Sequence, residues 1–226
     1  MQVTLGVLAA ALVMIAIEAA RPGRRWPKVA GWWARAALLN AIQVGMVFLA
    51  GSIWNGWMER HRLWSADRLG VVGGALVGYV VITFVYYWWH RWRHSSTVLW
   101  RWVHQVHHSP QRIEIITSFY KHPFELFVNS VLSSAILYLL VGVGPKAASL
   151  AVLLTGLAEL FYHWNVATPH WLGYLIQRPE SHCIHHEEGL HSYNYGDLPL
   201  WDMTMASSTT NPTESVRAIS ERLSTL

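Results

Sequence analysis

The chain has 226 residues, of which 53% are hydrophobic and 13% are charged. Soluble proteins carry about 25% charged residues, so this composition excludes an ordinary soluble domain and indicates an integral membrane protein. The net charge is +4, and the cations flank apolar segments instead of forming one stripe with interleaved aromatic residues. We therefore expect the membrane and its anionic headgroups as a partner, and no nucleic acid.

Apolar segments in chain order predict an all-α fold with about four to five membrane-embedded helices. A helix needs roughly 20 apolar residues to cross the hydrocarbon, and the candidates are residues 3–20, 33–53, 69–89, 126–141 and 147–162. The first is expected to be a retained span and not a signal peptide, because its basic residues follow it. A turn at 142–145 makes the last two a hairpin, whose number of full spans stays open.

The basic residues predict the orientation, since short cytoplasmic loops are enriched in Lys and Arg. Such residues follow the first segment, and they also follow the third: Arg21, Arg24, Arg25 and Lys28, then Arg91, Arg93 and Arg101. This pattern places the N-terminus outside and every histidine cluster at the cytoplasmic face. The expected organisation is N-terminal membrane spans over 1–68, a domain over 69–206 that contains the histidine clusters, and a C-terminal tail over 207–226. The clusters are expected to form a cytoplasmic helical cap on the membrane helices.

Three short clusters hold eight histidines and indicate a metal site. They are HRWRH at 90–94, HQVHH at 104–108 and HCIHH at 182–186, which contain His90, His94, His104, His107, His108, His182, His185 and His186. Helical residues three or four apart have Cβ atoms about 5 to 6 Å apart, so an i, i+4 pair can close on one ion. A triplet at i, i+3 and i+4 can hardly serve one metal. Two neighbouring metals fit better.

The identity of the metal does not follow from the ligands alone, because imidazole suits zinc, copper, nickel and iron. A structural zinc site closes with four ligands, and this chain offers about twice that number. The surplus argues against a single structural zinc site. The single Cys183 excludes an intrachain disulfide, a four-cysteine zinc site and an iron–sulfur cluster held within this chain.

Over residues 70–205 the sequence resembles the fatty acid hydroxylase superfamily, also called the sterol desaturase family, of integral-membrane di-iron enzymes. The resemblance rests on the order of the three clusters and of KHPFE at 121–125, FYHWN at 161–165, NYG at 194–196 and WD at 201–202. It implies two non-haem iron ions, O2 as co-substrate, and hydroxylation or desaturation of a lipid or sterol-like substrate. No flavin, haem or nicotinamide motif is recognisable, so we expect an external reductase or electron carrier.

The resemblance also implies a set of ligands and of residues that orient them. The eight clustered histidines carry over directly, and His122 and His163 would complete ten ligands. Expected to orient the ligands are Asn165, His191 and Asn194, while nearby carboxylates such as Glu125 and Glu159 either orient imidazoles or are solvated. The chain departs from the family pattern at Tyr120, where Arg is usual, and at 205–207, where an aromatic residue is usually followed by Gly-Thr.

Two alternatives stay open. A lipid desaturase would use nearly the same site, although the close spacing of the first two clusters favours a hydroxylase. A metal transporter or sensor would store metal on cytoplasmic histidines, but a transport path needs ionisable residues inside the spans. The predicted spans contain only three charged residues, Glu18, Arg35 and Glu159. The lipid substrate, the carbon attacked and the oligomeric state do not follow from the sequence.

Overall fold

The computed structural model describes residues 2–189 and 192–208, and within them it contains helices and no strand, which confirms the all-α prediction. The α-helices are α1 Gln2–Ala20, α2 Trp32–Ile53, α3 Asn55–Arg60, α4 Gly70–Ser95, α5 Thr97–Leu99, α6 Gln105–His108, α7 Pro123–Ser134, α8 Pro145–Tyr162, α9 Pro179–His185 and α10 Pro199–Thr204. Two π-helical segments, Trp100–His104 and Ala135–Val141, continue into or from these helices.

Three helical stretches are long and apolar enough to cross a membrane, namely Trp32–Ile53, Asp67–Ser95 and Pro123–Val141. They indicate a membrane protein. Helix α1, with its apolar part at Leu5–Ala20, and helix α8 correspond to the other two predicted segments. The expected number of four to five embedded helices, and the division into three parts, stay predictions.

Helix α4 forms the centre of the bundle and packs most extensively against α8. Gly74 and Gly78 allow the close approach: a Cβ atom at Gly74 would lie 3.2 Å from Ala147 Cβ, and one at Gly78 would lie 3.5 Å from Ala151 Cβ. Ala75 of α4 and Ala151 of α8 are fully buried beside them. Small residues at such interfaces let helix backbones pack closely, as membrane bundles require.

The predicted hairpin is a pair of consecutive helices that both pack against α4. The π-helical end of the first ends at Gly142, whose φ of 72° is favourable only for glycine. A Cβ atom here would lie 2.1 Å from the Trp64 carbonyl oxygen, so glycine is also required by space. Ala66 N donates to Gly142 O at 2.9 Å, which ties the loop before α4 to this turn.

The opposite end of the bundle gathers the segments that contain the histidine clusters. We call it the histidine end, and it comprises residues 21–31, 90–122 and the described part of 163–208. The loop after α1 reaches it through Gly23 N, which donates to Asn165 O at 2.7 Å. Glu18 near the end of α1 accepts from the backbone N–H of Ile115 and of Asn165, at 3.0 and 2.8 Å.

Candidate metal centre

Four elements present the clustered histidines to one another. His90 and His94 lie on the last turns of α4, and His104 ends the π-helical segment that precedes α6. His107 and His108 end α6, while α9 and the residue after it carry the third cluster. His163 follows the last residue of α8. A π-helical turn shifts the helical register by one residue and is frequent at functional sites.

The structure brings nine of the ten predicted ligands into two groups, in each of which the donor atoms lie within 4.8 Å of one another. We call the first group site 1: it consists of His90, His94, His104, His108 and His185. The second group, site 2, consists of His107, His163, His182 and His186.

In each HxxHH triplet, the histidines at i and i+4 belong to one site and the histidine at i+3 belongs to the other. His104 and His108, at i and i+4, belong to site 1, and His107 at i+3 belongs to site 2. In the third cluster the two sites are exchanged: His182 and His186, at i and i+4, belong to site 2, and His185 at i+3 belongs to site 1. The rings of His108 and His186 stack at 4.2 Å, so the two sites are adjacent.

The spacing of the imidazole nitrogens fits metal coordination. In site 1 the Nε2 atoms of His90 and His185 lie 3.0 Å apart, and those of His104 and His108 lie 3.2 Å apart. In site 2 His182 Nε2 lies 3.2 Å from His163 Nε2 and 3.1 Å from His186 Nε2. Two nitrogens bound at about 2.0 to 2.1 Å to one ion lie roughly 3 Å apart, so these pairs have the separation of co-ligands.

Backbone carbonyls fix the orientation of four imidazoles. A carbonyl oxygen can only accept, so the ring nitrogen that faces it, Nδ1, carries the proton and Nε2 keeps its lone pair. The pairs are His90 with Tyr195 O at 2.7 Å, His107 with Tyr120 O at 3.3 Å, His163 with Glu159 O at 2.9 Å and His185 with Tyr193 O at 2.7 Å. In every pair, the unprotonated Nε2 is the atom that can coordinate a metal.

A buried carboxylate orients a fifth imidazole. His104 Nδ1 donates to Glu125 Oε1 at 3.0 Å, and the same oxygen accepts from Arg93 Nη1. All three side chains are at most 5% exposed. Arg93 lies over the Trp89 ring as well. This arrangement compensates the Glu125 charge while it fixes the ring of a site 1 histidine.

Burial keeps three of the four site 2 imidazoles neutral, those of His107, His163 and His182. It lowers the pKa of His107 and His182 well below its usual range, and neighbouring imidazoles lower it further. Burial also lowers the pKa of His163 to about 4. A neutral imidazole offers the lone pair that a metal needs, so the environment favours the form that coordinates.

A family model described as Fatty acid hydroxylase matches residues 75–207, which include all nine grouped histidines. The chain belongs to the fatty acid hydroxylase family. This confirms the resemblance, and with it the histidine-box and membrane character of the protein. No solved structure gives a significant match.

Three relatives show which kinds of protein the chain is similar to. A sphingolipid C4-hydroxylase of Schizosaccharomyces pombe is 24% identical over 54% of this chain and 43% of its own length. A very-long-chain aldehyde decarbonylase of Oryza sativa subsp. indica is 31% identical over 75% of this chain and 28% of its own length. An ornithine lipid hydroxylase of Rhizobium tropici is 29% identical over 66% and 46%. The chain thus spans less than half of each relative.

His122, the tenth predicted ligand, belongs to neither site. Its Nδ1 accepts a hydrogen bond from Phe124 N at 3.1 Å, which makes it the N-cap of α7. Pro123 at the first helical position completes this helix start. The motif therefore positions α7, and with it Glu125, while the histidine itself caps the helix.

The predicted orienting residues have other contacts. Asn165 Oδ1 accepts from Arg24 N at 2.8 Å and its Nδ2 donates to Arg24 O at 2.9 Å, so this side chain holds the loop after α1. Asn194, at φ 57°, donates from Nδ2 to Ser181 O at 2.9 Å. His191 lies outside the described residues. Sequence reasoning missed the orienting carbonyls, because a backbone carbonyl leaves no signal in residue identity.

The WD motif holds the loop that supplies two of those carbonyls. Asp202 Oδ1 accepts from Tyr195 N at 2.9 Å, and Oδ2 accepts from Gly196 N at 2.7 Å. Ser207 Oγ also donates to Asp202 Oδ1, at 2.8 Å. Where the family usually has glycine, Ala206 has a φ of 54°. The local conformation is thus retained despite the departure in sequence.

The other departure from the family pattern is Tyr120. It changes the side chain at this position, but the contact with the site is made by the backbone carbonyl. The carbonyl of Tyr120 faces His107, and any residue supplies a carbonyl there. Its ring stacks on Trp32 at 5.2 Å, which joins the start of α2 to the histidine end. Next to it, Lys121 Nζ donates to Glu159 Oε1 at 2.7 Å.

A cavity of about 380 Å³ lies beside site 2. Its lining is mostly apolar and comes from α1, α4, α8 and the segment after α8: Met14, Tyr79, Leu154, Leu157, Ala158, Phe161, Tyr162, Trp164, Ile176, Gln177 and Asp197. The Tyr162 ring lies 4.4 Å from the ring of His182 and 4.9 Å from that of His163. The cavity thus ends against two predicted ligands.

Proposed function

We propose that the protein is a membrane-bound non-haem di-iron oxygenase that hydroxylates a lipid with O2 and external electrons. The observation that carries the proposal is the convergence of nine histidines, from four parts of the chain, into two adjacent groups of five and four. Family membership and two relatives named as lipid hydroxylases support the same reaction class.

The donor set supports two iron ions over structural zinc. Zinc in structural sites is almost always four-coordinate and tetrahedral. Site 1 offers five imidazoles and lies directly beside site 2, which offers four. Imidazole is a suitable ligand for iron, and an adjacent pair of ions can share one substrate position.

The residues of this chain would bind and orient the metals and keep water away. Sites 1 and 2 would hold the two irons, which supply the activation of O2 when bound. The carbonyls of Tyr193 and Tyr195 and the carboxylate of Glu125 hold three site 1 rings with Nε2 directed inward. His104, His107, His163 and His185 are at most 2% exposed, so these four rings are shielded from bulk water.

We propose that the substrate enters from the bilayer and that the electrons come from the cytoplasm. Apolar side chains such as Leu76 and Val72 on α4 are exposed and would contact the bilayer, and the cavity beside site 2 would receive a chain from there. Arg21, Arg24, Arg25, Lys28, Arg91, Arg101, Arg112 and Arg178 lie at the histidine end, which favours a cytoplasmic location for this end. A cytoplasmic reductase or electron carrier would then reach the site.

The decisive experiment is anaerobic purification with metal analysis, followed by lipidomics under ¹⁸O2. We expect two irons per chain and a lipid product that contains one labelled oxygen. The His107→Ala variant should lose both iron and product, whereas His61→Ala, at the other end of the bundle, should retain them. A product that lacks two hydrogens would indicate a desaturase instead. Bound metal without any oxidised lipid, even with an added reductase, would favour a transporter or sensor.

A further inference from the structure

The cavity beside site 2 has the dimensions of a site for one hydrocarbon chain. Along α8 it extends from Leu154 to Tyr162, which at 1.5 Å per residue is about 12 Å. Its volume of about 380 Å³ corresponds to roughly a dozen water-sized groups at 30 Å³ each. One alkyl segment fills such a space, and two chains side by side do not fit.

The end of the cavity next to the histidines is polar. Asp197 is only partly buried and contributes to the lining, so part of its surface faces the cavity. The Tyr162 hydroxyl interacts electrostatically with the side chains of Asp197 and Glu159. The same tyrosine ring contacts His182 and His163. A polar group bound by Asp197 would therefore hold a chain close to site 2.

We propose that this cavity selects a lipid chain that carries a hydroxyl group, and that this hydroxyl donates to the Asp197 carboxylate. Tyr162 positions the carboxylate, and the apolar walls hold the hydrocarbon. The inference rests on the proposed function, because it names the class of substrate for that site.

A plain alkyl chain fits this cavity less well for an energetic reason. It would remove water from the partly exposed carboxylate without replacing the hydrogen bond, and burying a polar group unpaired is unfavourable. A hydroxyl donor replaces that bond, so the carboxyl group of Asp197 keeps a hydrogen-bond partner. A site built for a hydroxyl therefore discriminates against the analogue that lacks it.

Photo-crosslinking in lipid nanodiscs tests the inference on the metal-loaded full chain. Two probes with the same chain and the same terminal diazirine are compared, a long-chain primary alcohol and its methyl ether. Mass spectrometry locates the labelled peptides. We expect the alcohol to label residues 154–164 and 176–177 about tenfold more than the ether, because only the alcohol donates a hydrogen bond.

Variants separate the cavity from its polar end. Asp197→Leu should reduce labelling by the alcohol to the level of the ether, and Asp197→Asn, which keeps an acceptor, should reduce it less. Ala158→Phe should block both probes by filling the cavity. Its matched control, Leu76→Phe, adds the same ring at a position that is 53% exposed and should change neither.

The outcomes distinguish this inference from the proposed function. Equal labelling by the two probes in the wild-type protein, or labelling confined to the lipid-facing surface, would overturn the selection of a hydroxyl. The metal content of each sample is measured in parallel. Selective labelling in a protein that binds no iron and oxidises no lipid would leave the cavity as assigned and refute the oxygenase.

Discussion

His90 and His185 are 95 positions apart in the sequence, yet their Nε2 atoms lie 3.0 Å apart. Each ring is held from behind by a carbonyl of one short loop, Tyr195 O for His90 and Tyr193 O for His185. The contact joins the end of α4 to α9. Site 1 is therefore complete only when the last histidine cluster has docked on the bundle.

The division of the histidines between two sites predicts which metal each variant loses. His185→Ala removes a proposed site 1 ligand, and His163→Ala removes one of the four histidines grouped in site 2. We expect His163→Ala to retain about one metal ion per chain, because the five ligands of site 1 remain. Metal analysis after gel filtration measures the stoichiometry, and Mössbauer spectroscopy of ⁵⁷Fe-loaded protein shows which signal has disappeared.

His122→Ala tests the composition of the ligand set. Because His122 caps α7 and lies outside both sites, the variant should keep both metals and lose about 1 kcal/mol of unfolding free energy. If the variant lost a metal ion while its unfolding free energy stayed unchanged, His122 would be a metal ligand after all.

Glu125→Gln should weaken metal binding at site 1. The amide would lose the charge that faces Arg93 and hold His104 less firmly. Residues that orient metal-bound histidines typically contribute 10- to 100-fold to metal affinity, so we expect a loss of about that size. Competition titration with a chelator measures it, with Glu59→Gln at the other end of the bundle as the control. An equal loss at both sites would contradict an orienting role for Glu125.

Asp202→Asn should destabilise the loop that orients His90 and His185. An amide has one oxygen where the carboxylate accepts from Tyr195 N, Gly196 N and Ser207 Oγ, and its NH2 group would face a donor. The expected cost is about 1 to 3 kcal/mol of unfolding free energy, with reduced metal retention at site 1. Thermal unfolding in detergent measures the first quantity and metal analysis the second.

The control for this variant is Asp67→Asn. Asp67 forms an exposed ion pair with Arg62 at 2.9 Å, and exposed pairs contribute only about 0 to 1 kcal/mol. If Asp67→Asn destabilised the protein as much as Asp202→Asn, the destabilisation would come from the loss of a negative charge and not from the loss of the hydrogen bonds that hold the loop.

The helices could be predicted from the sequence because apolar length alone determines them. The segments expected at 33–53 and 69–89 correspond to α2 and α4, and the turn at 142–145 is where Gly142 adopts its positive φ. The pairing of helices could not be predicted in the same manner. The two arms of the expected hairpin both pack on α4, and that choice depends on small residues such as Gly78.

For the site, too, some features could be predicted from the sequence and others could not. The side-chain pattern of the histidines was visible, and the backbone contacts were not. Spacing at i, i+3 and i+4 was enough to predict two neighbouring metals, and the structure places His104 and His107 in different groups. The histidines that a helix separates from the clusters needed tertiary structure: His163 joins site 2, whereas His122 does not. The carbonyls of Tyr193 and Tyr195 carry no sequence signal, because every residue type has one.

Ala206→Gly should stabilise the protein and keep its function. Ala206 has a φ of 54°, a conformation in which a Cβ atom costs roughly 1 to 2 kcal/mol, and glycine removes that cost at the expense of a more flexible unfolded chain. We expect a net gain of about 0.5 to 1 kcal/mol, measured by thermal unfolding of the metal-loaded protein. Ala206→Val, in contrast, should destabilise it, because a β-branched side chain tolerates this conformation least. A gain with valine would show that the strain at this turn is absent in solution, and that Asp202 and Ser207 hold the loop without it.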